Sequence, residues 1–186
     1  MSASPPARSS IEIRRAREDD LDAIMAMVDD FARDHPSAQH PRRRERVRAA
    51  YFTGEPVARV FVAERRGEVV GMAQWIRAFD MFWNMPGGRA EWLYVRPDAR
   101  GQGIAPALIA ALCDDVRRGG GEYLCGGYDE RLAPLYEQVT IGWPARECYL
   151  SEECFQVMAD LAGQPPRAVV RGLPTPDLNR VPARPR

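Results

Sequence analysis

Arg100-Gly101-Gln102-Gly103-Ile104-Ala105 joins a strand-like run, Ala90 to Val95, to a helix-like run that ends near Arg118. Strand, glycine turn and helix in that order build an anion site. The first backbone N–H groups of such a helix have no partner inside it, and the aligned peptide dipoles place partial positive charge there. A diphosphate suits that end. Gly101 and Gly103 allow positive φ and a close approach of oxygen to the backbone, and Arg100 offers a charge-assisted hydrogen bond. Two familiar nucleotide turns are excluded. A P-loop needs a Lys, and the chain has none; the dinucleotide fingerprint needs a third glycine where Pro106 stands.

Composition narrows the class further. With 186 residues, 45% of them hydrophobic, the chain can bury one ordinary core, and a formal net charge of zero argues against a nucleic-acid partner. It holds no apolar run of the roughly 18 residues a membrane span requires, and residues 1–10 lack the apolar centre of a signal peptide, so no membrane partner and a cytoplasmic location are expected. Cys113, Cys125, Cys148 and Cys154 are not spaced as zinc pairs and read as reduced thiols. His35 and His40 lack a nearby acid at ligand spacing, so no metal is expected.

Hydrophobic spacing predicts an alternation of strands and helices. Ile11 and Ile13 mark a first strand, and Glu18, Asp19 and Asp20 open a helix whose apolar residues run from Leu21 to Ala32. A second helix spans Arg42 to Phe52. Val57 to Arg65 and Glu68 to Ile76 form a hairpin about Arg66-Gly67, and Ala90 to Val95 pairs next. The helix from Gly103 stops at Gly119-Gly120-Gly121. Glu122 to Gly127 is a strand, Asp129 to Gln138 a short helix, Gly142 to Leu150 a strand, and Ser151 starts a last helix. Residues 1–10 read as an arm without structure. Gln164 to Arg186 holds six prolines and five arginines and reads as an extended tail adding little to the core. The apolar loop from Phe79 to Gly88, with Met81, Phe82, Trp83 and Met85, must be covered by an acceptor pocket, by a partner copy in a homodimer, or by the core.

Arg100, Gly103 and Ala105 fit the Arg/Gln-x-x-Gly-x-Gly/Ala pattern, and Leu93-Tyr94-Val95-Arg96-Pro97 precedes it as "L-x-V-x-P". On these motifs the chain resembles the GNAT superfamily of N-acetyltransferases, over about residues 11–162, with 163–186 as the tail. The resemblance implies an α/β fold of the mixed α+β type: a central, mostly antiparallel sheet with splayed middle strands flanked by helices. It implies acetyl-CoA as co-substrate, with pantetheine entering between the strand at Leu93 to Val95 and the strand at Glu122 to Gly127. Leu93, Tyr94 and Val95 would then line the arm, and Arg100, Gly101, Gln102, Gly103, Ile104 and Ala105 the diphosphate; Asp129 stands where many members have a cofactor-contacting Asn.

The same resemblance implies a reaction. An acceptor amine must attack uncharged, and presenting a lysine-like ammonium in neutral form at pH 7 costs roughly 4.6 kcal/mol. Glu91-Trp92-Leu93-Tyr94-Val95 is similar to the Glu-Asp-(Leu/Phe)-(Tyr/Phe)-Val of the diamine and thialysine branch, which makes Glu91 the candidate base and puts Trp92 in place of a second acid. Period-two alternation groups Glu91 with Leu93 and Val95, and turns Trp92 and Tyr94 the other way. Leu132-Ala133-Pro134-Leu135-Tyr136-Glu137 resembles the family's Ala-x-x-Leu-Tyr-Glu helix, whose tyrosine protonates the leaving thiolate, so Tyr136 is the candidate acid. Trp83 and Trp92 are candidate acceptor contacts. The expected activity is acetyl transfer to a primary amine, on a small molecule or a protein lysine; an inactive acyl-CoA-binding module and a protein-interaction scaffold are the alternatives.

Overall fold

The computed structural model describes residues 11–33, 43–127, 141–142 and 147–173. Among the described residues seven strands form one sheet, in the order β1-β2-β3-β4-β5-β7-β6. β1 (Ile11–Arg15), β2 (Arg59–Arg65), β3 (Glu68–Asp80) and β4 (Met85–Val95) pair antiparallel in sequence, β5 (Tyr123–Gly127) pairs parallel to β4, and β7 (Glu147–Ser151) returns antiparallel between β5 and β6 (Ile141–Gly142). The turn between β2 and β3 is tight because Arg66 and Gly67 both take positive φ, 56° and 81°.

Each face of the sheet is covered by what the sequence's periodicity provides. α1 (Leu21–Arg33) lays Ile24 and Met27 on Val60, Val62 and Met72, with Tyr51 and Phe52 of α2 (Arg44–Phe52) at the margin. The acids at its start do more than favour the helix dipole: Asp20 accepts from Arg14 Nη1 at 2.7 Å and Nη2 at 2.8 Å, while Arg14 also bonds Glu64 on β2. Arg14 holds the Asp20 carboxyl below its ordinary range, with burial opposing.

The opposite face belongs to α3 (Ile104–Arg118), which buries Leu108, Leu112 and Val116 against Val70, Ala73 and Trp75. Its end follows from the glycines. Gly120 takes φ 79°, its N–H meets the Arg117 carbonyl, and the Gly121 N–H reaches Val116 O at 2.9 Å, which satisfies carbonyls the last turn would otherwise strand. α4 (Glu152–Asp160) packs beside α3 through Phe155 and Met158, and Arg117 ties Asp114 to Asp160 between the two helices.

Several expectations need correction, among them the single strand from Gly142 to Leu150, which is two short strands, since Gly142 of β6 pairs antiparallel with Cys148 of β7. The segment Phe79 to Gly88 is not a loop: β3 runs to Asp80, four residues turn, and β4 begins at Met85. Pro86-Gly87-Gly88 suggests a loop, but those glycines are strand residues that leave room for neighbours. A Cβ on Gly87 would lie 2.3 Å from the Tyr123 ring, and one on Gly88 would lie 2.7 Å from Val116. Nor does this chain's own core cover the tip, since Met81 is 81% and Phe82 78% exposed. The tail also departs from expectation. Pro166–Arg171 forms a further helix, α5, with Val169 only 1% exposed in the main core, so the folded domain extends past residue 162. Pro165 and Pro166 start this helix rather than forbid it, because proline is preorganised for a first turn. The predicted helix at Asp129 to Gln138 lies outside the described residues.

Candidate active site

β4 and β5 pair over three positions, Gly88 with Leu124, Arg89 with Cys125 and Ala90 with Gly126. There the pairing ends. Residues 92–95 continue along β3, and among the described residues, which on this side end at Gly127, none pairs with the other edge of β4 beyond Ala90. Gly126 guards the last rung: a Cβ there would sit 2.9 Å from the Ala90 carbonyl oxygen. The ladder thus ends where the resemblance places the parting of these strands, and a strand edge without a partner is the kind of surface that accepts an extended ligand as an added strand.

A bulge lies at the start of the splay. Trp92 pairs with Gln74 but Ala90 pairs with Trp75, which leaves Glu91 as the extra residue. Alternation holds from Trp92 onward. Leu93 and Val95 pack on the α3 core, Tyr94 packs on the α1 side, and Trp92 meets Phe31 of α1 edge to face at 4.9 Å. Glu91 escapes that count. Its carboxylate accepts from Arg89 Nε at 3.0 Å, with the side chain 38% exposed. The bulge thus places an acidic side chain where the β4–β5 pairing ends.

Beyond Val95 the chain turns through Pro97–Ala99 into the glycine corner. Arg96 bonds Asp98 and Glu68, and Arg65 Nη2 reaches Asp98 at 2.6 Å, fastening the turn to the β2–β3 hairpin. Gly101 and Gly103 both take left-handed φ, 72° and 80°. Among the described residues no acceptor takes the N–H of Gln102, Gly103, Ile104 or Ala105, while Ala107 N–H already returns to Gly103 O. Pro106, with no N–H, is buried in the first turn of α3. A Cβ on Gly101 would meet nothing within 4 Å, so the corner is open on that side. The donor set and the open face fit a diphosphate. Ile104 is 2% exposed and contributes its backbone alone. Arg100 folds back, its Nε donating to Val95 O at 2.9 Å and its guanidinium 5.9 Å from the Tyr94 ring.

Not every candidate joins this cluster. Trp83 sits in the β3–β4 tip, its backbone N–H donating to Asp80 Oδ1 at 2.9 Å and its ring against Phe82. At about 3.3 Å per residue, β4 separates the tip from Glu91 by roughly 20 Å, so Trp83 does not share a pocket with it. Asp129 and Tyr136 lie outside the described residues. Phe31 and Arg89 were missed as neighbours of the site; Arg89 stands two residues before Glu91 on the same strand, a spacing that period-two alternation could have flagged, whereas only tertiary packing brings Phe31 to Trp92. Cys113 is fully buried in α3, where burial pushes its thiol far above the ordinary range, so it offers no thiolate. Among the described residues no group of His, Cys, Asp and Glu is placed to hold a metal, and no helix is long and apolar enough to cross a membrane.

The family model for GNAT acetyltransferases matches residues 24–140. No curated protein matches the chain by sequence. Several solved structures share its fold. A ribosomal-protein-alanine N-acetyltransferase from Brucella melitensis biovar Abortus 2308 is 23% identical, with a TM-score of 0.59 covering 72% of this chain and 94% of that one. An aminoglycoside acetyltransferase from an uncultured soil metagenomic sample, solved with sisomicin, is 20% identical, with a TM-score of 0.56 over 68% and 83% of the two chains. A transcriptional regulator from Bacillus halodurans C-125 is 22% identical, with a TM-score of 0.60 over 72% and 94%.

Proposed function

The chain belongs to the GNAT acetyltransferase family, and on that premise we propose that it moves an acetyl group from acetyl-CoA to a primary amine of a small molecule or a lysine side chain. The observation that carries this reading is the end of β4–β5 pairing at Ala90, directly upstream of a left-handed glycine corner whose amides have no acceptor among the described residues. In this proposal the main chain of Leu93 and Val95 pairs with the pantetheine arm as a strand would. The N–H groups of Gln102, Gly103 and Ala105 hold the diphosphate, and Arg100 swings from the Val95 carbonyl to add charge.

Acetyl-CoA supplies an activated thioester carbonyl; the chain's residues handle protons and position. Glu91 takes the proton of the incoming ammonium, directly or through water, with Arg89 steering its carboxylate. Trp92 and Phe31 offer an aromatic wall on the α1 side for the acceptor. Tyr136 returns a proton to the departing thiolate, a role suited to a group that stays protonated near neutrality. Transfer is direct within a ternary complex.

Following free thiol while acetyl-CoA is mixed with a panel of amines tests this. Amine-dependent release supports the proposal. Tight binding of acetyl-CoA with no release for any amine points to an idle acyl-CoA module, and absence of binding leaves an interaction scaffold.

A further inference from the structure

The helix α5 has no counterpart in the element order expected from the sequence, and it seats on the one corner where the diphosphate is read to bind. Its Pro166 carbonyl oxygen and Val170 side chain press on Gly103, lying 2.5 Å and 3.0 Å from where a Cβ would be, while Val169 is rooted in the core. The only charged residues of this helix are Arg167 and Arg171, one turn apart and both exposed, and among the described residues neither makes an ion pair. At about 100° per residue, the arc of the helix that starts with Pro166 continues through Val170 to Arg167 and then Arg171. Both arginines therefore rise from the flank of α5 that adjoins the Gly103 contact.

Two guanidinium groups beside a diphosphate corner suit a second phosphate on the same ligand. Coenzyme A carries one, the 3′-phosphate of its adenosine. We propose that α5 forms an outer wall of the coenzyme site and that Arg167 and Arg171 grip this 3′-phosphate by charge-assisted, fork-like hydrogen bonds. The proposal rests on the acetyl-CoA reading above. It adds a specificity determinant: the chain would select the coenzyme over forms that lack the 3′-phosphate.

Isothermal titration calorimetry on the full chain with coenzyme A and with 3′-dephospho-coenzyme A tests it. The unaltered protein should bind coenzyme A about 10- to 100-fold more tightly, the span expected for hydrogen bonds to a charged group. In Arg167→Ala/Arg171→Ala that preference should fall to within about 3-fold, with affinity for the dephospho form unchanged. Arg167→Gln/Arg171→Gln, checked by its urea midpoint, repeats the test with side-chain bulk retained. Full preference in both double variants overturns the assignment, as does equal binding of the two ligands by the unaltered chain; either result leaves the acetyltransferase reading intact. If neither ligand binds, both proposals fall together.

Discussion

Gly101 and Gly103 share a left-handed backbone but not a neighbourhood, and alanine at each should separate conformational cost from packing cost. For Gly101→Ala, φ is 72° and the new Cβ meets nothing within 4 Å, so the cost is that of the left-handed conformation, about 1 kcal/mol. For Gly103→Ala the same cost applies at φ 80°, but the Cβ also falls 2.5 Å from Pro166 O and 2.8 Å from Pro166 C. Those are backbone atoms, so α5 itself must move. It is anchored by Val169, whose full burial is worth about 1.5–3 kcal/mol, and a partial loss brings the total for Gly103→Ala to about 2–4 kcal/mol. Urea unfolding monitored by fluorescence gives both values from the midpoints at unchanged m. Equal destabilisation by the two substitutions would refute the packing of α5 on this corner.

Asp20→Asn should lose about 1.5–3 kcal/mol at neutral pH, because Arg14 keeps Glu64 but loses its two-pronged, charge-assisted bonds to the Asp20 carboxylate. Since Asp20 titrates lower in the folded than in the unfolded chain, this stabilisation is complete above the unfolded value near 3.9 and disappears as pH falls through the folded one; unfolding curves of both proteins at stepped pH should converge there. Glu91→Gln and Tyr136→Phe should each lower the turnover number about 100-fold with acetyl-CoA affinity unchanged, measured by thiol release and calorimetry. A turnover number within 2-fold of the original for either would remove that residue from the chemistry. Met81→Ser/Phe82→Ser at the exposed β3–β4 tip should change the urea midpoint by less than the equivalent of about 0.5 kcal/mol, and a larger loss would mean the tip is covered in solution.

Local rules made much of this architecture legible. Apolar spacing in Leu21 to Ala32 identified α1, Arg66-Gly67 identified the hairpin, and the glycines at 119–121 identified the end of α3. The glycine corner was legible because its conformation is set by its own residues. What escaped depends on partners distant in sequence. Gly87 and Gly88 imitate a loop until Tyr123 and Val116 are seen filling the space their missing side chains leave. The bulge at Glu91 is a mismatch between two strands, so no reading of β4 alone reveals it. Pro165 and Pro166 suggested an extended tail because proline is poor inside helices, yet at a helix start it costs little, and Val169 had a core position to fill.

The claim that the β4–β5 gap and the glycine corner together hold acetyl-CoA is tested most directly by amide hydrogen exchange with and without the ligand. Slowed exchange at Gln102, Gly103, Ile104 and Ala105, and along residues 91–95 of β4, is the expected result. Saturating acetyl-CoA with exchange at those amides unchanged would contradict it.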